Sequence, residues 1–495
     1  MTPRQTPKIY NNKKTCLPSY YTILKEKKKA GNLTFIYGIT KLSETSGRTG
    51  ERGIEGRKGE RWIFRSICGR IKTNIRLKGE AKLAHRDILH VDQNCFFASV
   101  EMRSHPEWRN VPMAVGGDSK LRHGIILAKN PLAQAKGVKT AEAIWQAKEK
   151  CPDLLVVPAH FEQYVYYSER IRELFLQYTD KVEPFGLDEC WLDVTGCISC
   201  TPHELADEIR TRVREELGLT CSVGVSFNKT FAKLGSDYKK PDATTEITEE
   251  NFKEIVWPLP VSDLLFVGKS TTAAFHKMNV KTIGDLAALD ADFVLSSMGK
   301  NGFALWQSAN GLENAEVHDS TYNRPLKSIG NSTTTPRDMT CRQDVWKVIS
   351  TLSSQVAGRL RKHHFRAGTV TIWVRDTDLH SYEKQRALPS ETNDEKAIAQ
   401  LAMELFDESY DWHAPLRSFG VRTTHLVDEN DYQQMTIFEN YEKIQRDDRI
   451  NATLDVLRSR FGSDIVMRGT QMEGKDDLVD PDREDHPHGG FLEDL

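Results

Sequence analysis

The ten residues FGLDECWLDV, Phe185 to Val194, constrain this chain more than any other stretch. Asp188 and Glu189 are adjacent carboxylates set between apolar residues, with β-formers following at once. That is the pattern of a tight turn entering a buried strand. Burying a carboxylate is costly unless something positive neutralises it, so an acidic pair beside a core strand calls for a cation. A solvated turn in which Asp188 caps a backbone amide fits the same residues, since Asp is common in turns.

A second stretch changes the balance. In ILHVDQNCFFASVE, Ile88 to Glu101, another short apolar strand ends in a carboxylate, Asp92, then runs into two aromatics and a helical pattern. Two strands that each deliver acid at one end can pair and gather three carboxylates in one place. Three hard oxygen ligands suit Mg2+, which keeps waters and takes its remaining ligands from substrate phosphates. Two such ions can hold the attacking and leaving oxygens of an in-line phosphoryl displacement. Spacing alone leads as far as two-metal phosphoryl transfer.

HVDQNCFFASVE, EPFGLDECWLDVTG and SVGVSFNKTFAKLGSDYKKP, in that order, resemble the motifs of the Y-family translesion DNA polymerases, in the DNA polymerase IV (DinB-like) branch. The similarity runs from about Asp87 to about Leu426. It implies an α+β multidomain fold shaped like a right hand. A βαββαβ palm would come from residues 87–95 and 162–245, and small fingers from 96–161, expected as a helical insert. A helical thumb of helix-hairpin-helix type would occupy 246–318, and a second βαββαβ unit, the little finger, 326–426.

Outside that span the chain changes character. Residues 1–86 carry 21 Lys and Arg against 6 Asp and Glu, a net of +15, which leaves −17 for the remainder of a chain whose formal charge is −2. With Gly-rich runs and little apolar periodicity, this stretch reads as a disordered basic arm able to touch nucleic acid non-specifically, or as a segment without function. Residues 427–495 form a tail with a helical pattern at Ile450, Leu454, Leu457 and Phe461, turning acidic from Glu473. No run of eighteen apolar residues points to a membrane span, and no secretory h-region is visible at the start. Nine scattered cysteines fit a reducing cytoplasm. Cys190, Cys197, Cys200 and His203 lack the second paired knuckle of a zinc site.

The resemblance also implies roles. Asp92, Asp188 and Glu189 would be the catalytic metal ligands for two Mg2+, with the Gln93 carbonyl completing the nucleotide-side ion. Phe97 would be the steric gate, a flat ring beneath the sugar that leaves no room for a 2′-hydroxyl, while Phe96 packs in the core. Lys240 matches the triphosphate lysine. Where the family commonly shows Asn-Tyr-x-Ala-Arg, this chain has Asn130-Pro131-Leu132-Ala133-Gln134, so Lys129 is the candidate to replace the missing grip. That departure keeps a weakly active or inactive DNA-binding relative as the alternative. A palm-type nucleotide cyclase does not account for the thumb and little-finger stretches.

For DNA, the implied contacts are Lys269 at the hairpin, then Ser332, Thr333, Thr334, Arg337, Arg361, Lys362 and Arg366 toward phosphates rather than base edges. The family usually has Gly where this chain has Phe266. Gln434, Ile437 and Phe438 match a peptide that hooks the replication sliding clamp. The expected enzyme is a monomeric, low-fidelity DNA-directed DNA polymerase that takes primer-template DNA and dNTPs and works in damage tolerance.

Overall fold

A computed structural model describes residues 86–117, 124–198, 200–322, 325–431, 441–462, 465, 466 and 478. The basic arm, the clamp-like peptide Gln434 to Phe438 and nearly all of the acidic tail lie outside them. Among the described residues, no helix is long and apolar enough to cross a membrane.

The first strand, β1 (Ile88–Gln93), is buried along its whole length and sits at the centre of a five-stranded sheet. Helix α1 (Phe96–Ser104) follows directly. Next come three short strands, β2 (Met113–Gly116), β3 (Ile126–Lys129) and β4 (Leu155–Val157), which form a small sheet of order β3-β2-β4. This segment therefore carries more strand than the helical insert expected, alongside the helices α2 (Pro131–Ala135) and α3 (Ile144–Lys150). Asn130 caps α2 through its side chain, which accepts from the Ala133 amide at 2.9 Å, and Pro131 occupies the first turn, where its missing N–H costs nothing.

The central sheet is then completed. After α4 (Phe161–Phe175) come β5 (Val182–Pro184), β6 (Glu189–Asp193), α5 (Pro202–Leu217), β7 (Cys221–Ser226), α6 (Lys229–Tyr238) and β8 (Thr244–Ile247). Strand order is β5-β6-β1-β7-β8, and β1 runs antiparallel to both neighbours. Leu89 and Val91 join the core formed with α4 and α5, while Ile88 packs with Ala232 of α6 on the other face.

Gly224 is what lets α6 lie so close to the sheet. A Cβ built there would fall 1.8 Å from the Ala232 carbonyl oxygen and 2.5 Å from the Ser236 amide. Gly224→Ala is therefore expected to force α6 off the strand and destabilise the protein by about 3 kcal/mol or more, an overpacking cost. Thermal unfolding checks this, and a wild-type melting temperature would show that α6 moves freely.

Beyond the sheet, a helical unit comprises α7 (Phe252–Ile255), α8 (Lys269–Lys277), α9 (Ile283–Ala287) and α10 (Ala291–Ala309), the last kinked at Gly299. Its core, which includes Phe275, Ile283 and Leu286, also takes in Phe231 and Leu234 from α6. Phe266, just ahead of α8, adopts the left-handed conformation (φ 68°) that glycine favours, and its ring is 77 % exposed. The tight turn is thus made without the glycine.

The last unit runs β9 (Ser328–Met339), α11 (Arg342–Lys362), β10 (Phe365–Asp376), β11 (Ser381–Thr392), α12 (Glu395–Ser409) and β12 (Leu416–Asp428). Its sheet has order β11-β10-β12-β9 and a core filled by both helices. This is the second βαββαβ arrangement expected, with strands that extend further than the apolar runs marking them. A final helix, α13 (Tyr441–Phe461), is held on this unit largely by polar side chains. Asp455 accepts two bonds from Arg361 (2.5 and 2.7 Å), Asp448 pairs with Arg366 at 3.2 Å, and Asn451 donates to Asp394 at 3.2 Å. Leu454 and Leu457 are half-buried, but Ile450 and Phe461 are exposed, so the expected apolar stripe is only partly used.

Candidate active site

The acid cluster follows from strand register. Asp92 lies directly opposite Glu189 across the β1–β6 ladder, and the Gln93 amide donates to the Asp188 carbonyl at 2.9 Å, which closes the turn onto the end of β1. Helix α6 and the turn after it supply the counter-charges. Lys240 Nζ reaches both Asp92 Oδ2 and Asp237 Oδ1 at 2.7 Å, and Lys233 Nζ donates to Glu189 Oε2. His90, fully buried two residues before Asp92, places Nε2 3.2 Å from Glu189 Oε2.

These surroundings set the charges. Burial is the main cause that raises Asp92 to about 6, against the pull of Lys240. Burial, with the neighbouring charges of Asp92 and Glu189, raises Asp188 to about 7. Burial also works against the Glu189 charge, but the His90 hydrogen bond and Lys233 hold it down at about 2. Burial lowers His90 to about 4.

Among the described residues no three His, Cys, Asp or Glu side chains are already drawn around one point as metal ligands. Asp92 and Glu189 lean instead on Lys240 and Lys233. The donor set nonetheless suits a hard divalent cation. It offers three carboxylates, Asp92 buried and Asp188 half-buried with their charges opposed, a cost that a bound cation would relieve.

At the start of α1, just past Asp92 in the chain, the two aromatics differ in burial. Phe96 is buried in the core, while Phe97 is half-buried and stacks on Tyr164 at 4.3 Å and 11°. Tyr164 is itself fixed, since its hydroxyl donates to Glu101 Oε1 at 2.5 Å, and the same carboxylate meets His160 Nδ1 at 2.9 Å. Lys129 donates to Thr140 Oγ1 at 3.1 Å, and its charge is felt at Cys95, in the turn between β1 and α1. The side-chain amide of Gln93 is buried with no hydrogen-bond partner among the described residues.

The residues expected to meet DNA do not all share one surface. Lys269 opens α8. Register puts Ser332 and Thr334 on β9 opposite Gly420 and Ser418, on the sheet face away from the helices, whereas Thr333 pairs with the core residue Phe419. Arg337 makes a two-bond pair with Asp344, both at 3.0 Å. Arg361 and Arg366 hold α13, as described above, and Lys362 ends α11.

Sequence reasoning missed His90 and Lys233 around Glu189, Ser236 behind His90, and Tyr164 behind Phe97. A period-two reading of β1 already sets His90 on the same face as Asp92. The others depend on contacts between distant elements.

Residues 91–237 match the impB/mucB/samB family, and residues 326–437 match the impB/mucB/samB family C-terminal domain. A DNA polymerase IV of Acetivibrio thermocellus is 46% identical over 392 residues, covering 79% of this chain and 98% of that protein. DNA polymerase IV 1 of Bacillus subtilis is 34% identical over 390 residues, covering 78% and 94%. In fold, the chain is similar to a Y-family DNA polymerase chimera of Dbh and Dpo4, with a TM-score of 0.62 at 22% identity, over 69% of this chain and 99% of that one. With an acid cluster on paired strands, a half-buried aromatic in the helix that follows Asp92 and relatives matched over nearly their whole length, this chain belongs to the DNA polymerase IV branch of the Y-family DNA polymerases.

Proposed function

We infer that this protein is a template-directed, low-fidelity DNA polymerase that adds dNTPs to a primer 3′ end and copies past damaged template bases. The observation that carries this reading is the in-register pairing of Asp92 with Glu189, with Asp188 beside them. Asp92, Asp188 and Glu189, with the Gln93 carbonyl, would hold two Mg2+, which when bound activate the primer hydroxyl and offset charge on the transferring phosphate.

The chain's own groups do the rest. Lys240, now paired with Asp92 and Asp237, is placed to exchange a carboxylate for a triphosphate oxygen. Phe97, backed by Tyr164, sits under the sugar and excludes a 2′-hydroxyl. In this division residues 87–95 and 162–245 are the palm, 96–161 the fingers, 246–318 the thumb and 326–426 the little finger. Lys269, Ser332, Thr334, Arg337, Arg361, Lys362 and Arg366 then hold the DNA backbone without reading sequence, the paired arginines exchanging carboxylates for phosphates. Gln434, Ile437 and Phe438 would hook a sliding clamp, and the protein would act as a cytoplasmic monomer.

Lys129 compensates for the absent Tyr and Arg. It lies at the entry to α2, close enough to influence Cys95. Lys129→Ala is expected to raise the nucleotide KM about tenfold, or about 1.4 kcal/mol, at unchanged primer-template affinity. A KM within twofold of wild type would mark Lys129 as a solvent-side lysine.

Extension of a primer across a synthetic abasic template position tests the translesion reading. Products that run past the lesion are expected. A complete stall opposite it, with normal extension on undamaged template, would leave an ordinary polymerase.

A further inference from the structure

We propose that His90, set by Ser236, is a positioning residue for the catalytic carboxylate Glu189. The proposal rests on the reading of Glu189 as a metal ligand and adds to it a hydrogen-bonded chain that fixes which of its oxygens is offered to the cation.

His90 is completely buried, so both ring nitrogens must find partners inside the protein. Nδ1 is hydrogen-bonded with Ser236 Oγ at 2.8 Å, while Nε2 lies 3.2 Å from Glu189 Oε2, close enough for an ion pair but off hydrogen-bond alignment. The ring stands edge-on to Trp191 at 5.1 Å, its cross-strand neighbour on β6, which holds its plane. Gly224, opposite His90 on β7, is the gap through which α6 comes near enough to deliver Ser236.

The tautomer follows from elimination. The Ser236 hydroxyl has one proton and two acceptors in reach, His90 Nδ1 and the Lys233 carbonyl, each at 2.8 Å. If that proton went to the carbonyl, a neutral ring would donate from Nδ1 and turn a bare Nε2 lone pair onto a carboxylate oxygen, a repulsive contact in a buried place. If it goes to Nδ1, Nε2 carries the proton and faces Glu189 Oε2 at 3.2 Å, the one acceptor shown near it, so a small turn of the carboxylate completes the bond. This is the arrangement in which the partner of one ring nitrogen decides what the other does.

The consequence falls on Glu189. His90 and Lys233 both act on Oε2, so Oε1 is left as the oxygen available to a cation. A carboxylate pinned through one oxygen needs no reordering when the ion arrives, which is the effect of partners that orient metal ligands from behind. Strand β1 therefore supplies one ligand at Asp92 and the support for another at His90.

The test compares four variants of the full-length protein. His90→Phe keeps a ring but removes the donor, while His90→Gln keeps an amide N–H near the place of Nε2. Ser236→Ala removes the tautomer control and Ser236→Thr keeps the hydroxyl. The first readout is Mn2+ binding to the DNA-free protein by electron paramagnetic resonance. The second is the Mg2+ concentration for half-maximal extension, and primer-template affinity is measured alongside. His90→Phe is expected to weaken Mn2+ binding and raise the Mg2+ requirement by about tenfold, within the range for lost orienting partners. Ser236→Ala should shift the same way by a smaller factor, with His90→Gln and Ser236→Thr close to wild type.

Wild-type ion binding in His90→Phe would overturn the proposal. So would a loss of primer-template affinity in step with ion binding, which would assign His90 to core packing, as would equal defects in His90→Phe and His90→Gln. None of these results touches the polymerase reading, which fails only if wild-type protein does not extend primers.

Discussion

Asp188→Asn is expected to abolish primer extension while leaving primer-template binding largely intact. The substitution keeps the shape of the side chain and removes a negative ligand from a site that must stabilise several kcal/mol of developing charge. Losing that much corresponds to a fall of about a thousandfold or more in rate. The DNA contacts proposed above involve other, mostly basic or hydroxyl side chains, so affinity and its salt dependence should persist. A second effect runs the opposite way. Burial and neighbouring acids raise Asp188 to about 7, so its charge is a burden on the metal-free protein near neutral pH. The neutral amide carries no such burden, and the inactive variant should melt at a higher temperature than wild type in chelator. Comparable extension by the variant would dismiss Asp188 as a ligand.

Phe97→Ala is expected to admit ribonucleotides. Phe97 is half-buried and stacked on Tyr164, whose hydroxyl is locked to Glu101, so the ring has a fixed back wall and cannot swing away from a 2′-hydroxyl. Removing it opens the space, and discrimination between dNTP and rNTP should fall by about two orders of magnitude, or about 2.7 kcal/mol. The readout is the ratio of kcat/KM for the two sugars. Phe97→Leu, which keeps bulk without the flat ring, should give an intermediate ratio. Unchanged sugar discrimination in Phe97→Ala would mean that another group forms the gate.

Much of this site is visible in the sequence because it is built from two local patterns. Asp92 lies at the end of one short apolar strand and the Asp188-Glu189 pair opens another, and strand pairing then has little freedom in where it puts them. The second βαββαβ unit is legible for the same reason, through its long amphipathic helices. Its strands are harder to bound. Every residue of β11 is exposed or half-buried, so the strand continues by backbone pairing well past its apolar residues. The sheet between α1 and α4 escaped because β2, β3 and β4 are three or four residues long, too short to show a period.

Side chains that act across the fold were hidden for a different reason. Lys233 and Ser236 look like ordinary helix residues until Gly224 lets α6 close on β1. Arg361 and Arg366 are legible as basic residues, but their pairing with Asp455 and Asp448, from a helix far along the chain, is not. Such pairings are set by tertiary packing and leave no local signature.

The claim at the centre of this account is that the acids at the ends of β1 and β6 bind the divalent cation used in catalysis. Thermal unfolding of the DNA-free protein, with and without Mg2+ or Mn2+, at pH 5 and pH 7.5, tests it directly. Folded Asp92 and Asp188 titrate at about 6 and about 7, above the ordinary 3.8, so the folded state holds more protons than the unfolded state across that window. Without metal, their contribution to stability should therefore fall as pH rises from about 4 to about 7, by about 1.4 kcal/mol for each tenfold difference in proton affinity between the folded and unfolded carboxyl. Cation binding to the ionised pair should restore it. The account predicts a clear metal-induced rise in Tm at pH 7.5, a much smaller one at pH 5, and little at either pH in Asp188→Asn. A Tm that ignores the metal at pH 7.5, or a rise equally large in Asp188→Asn, would contradict it.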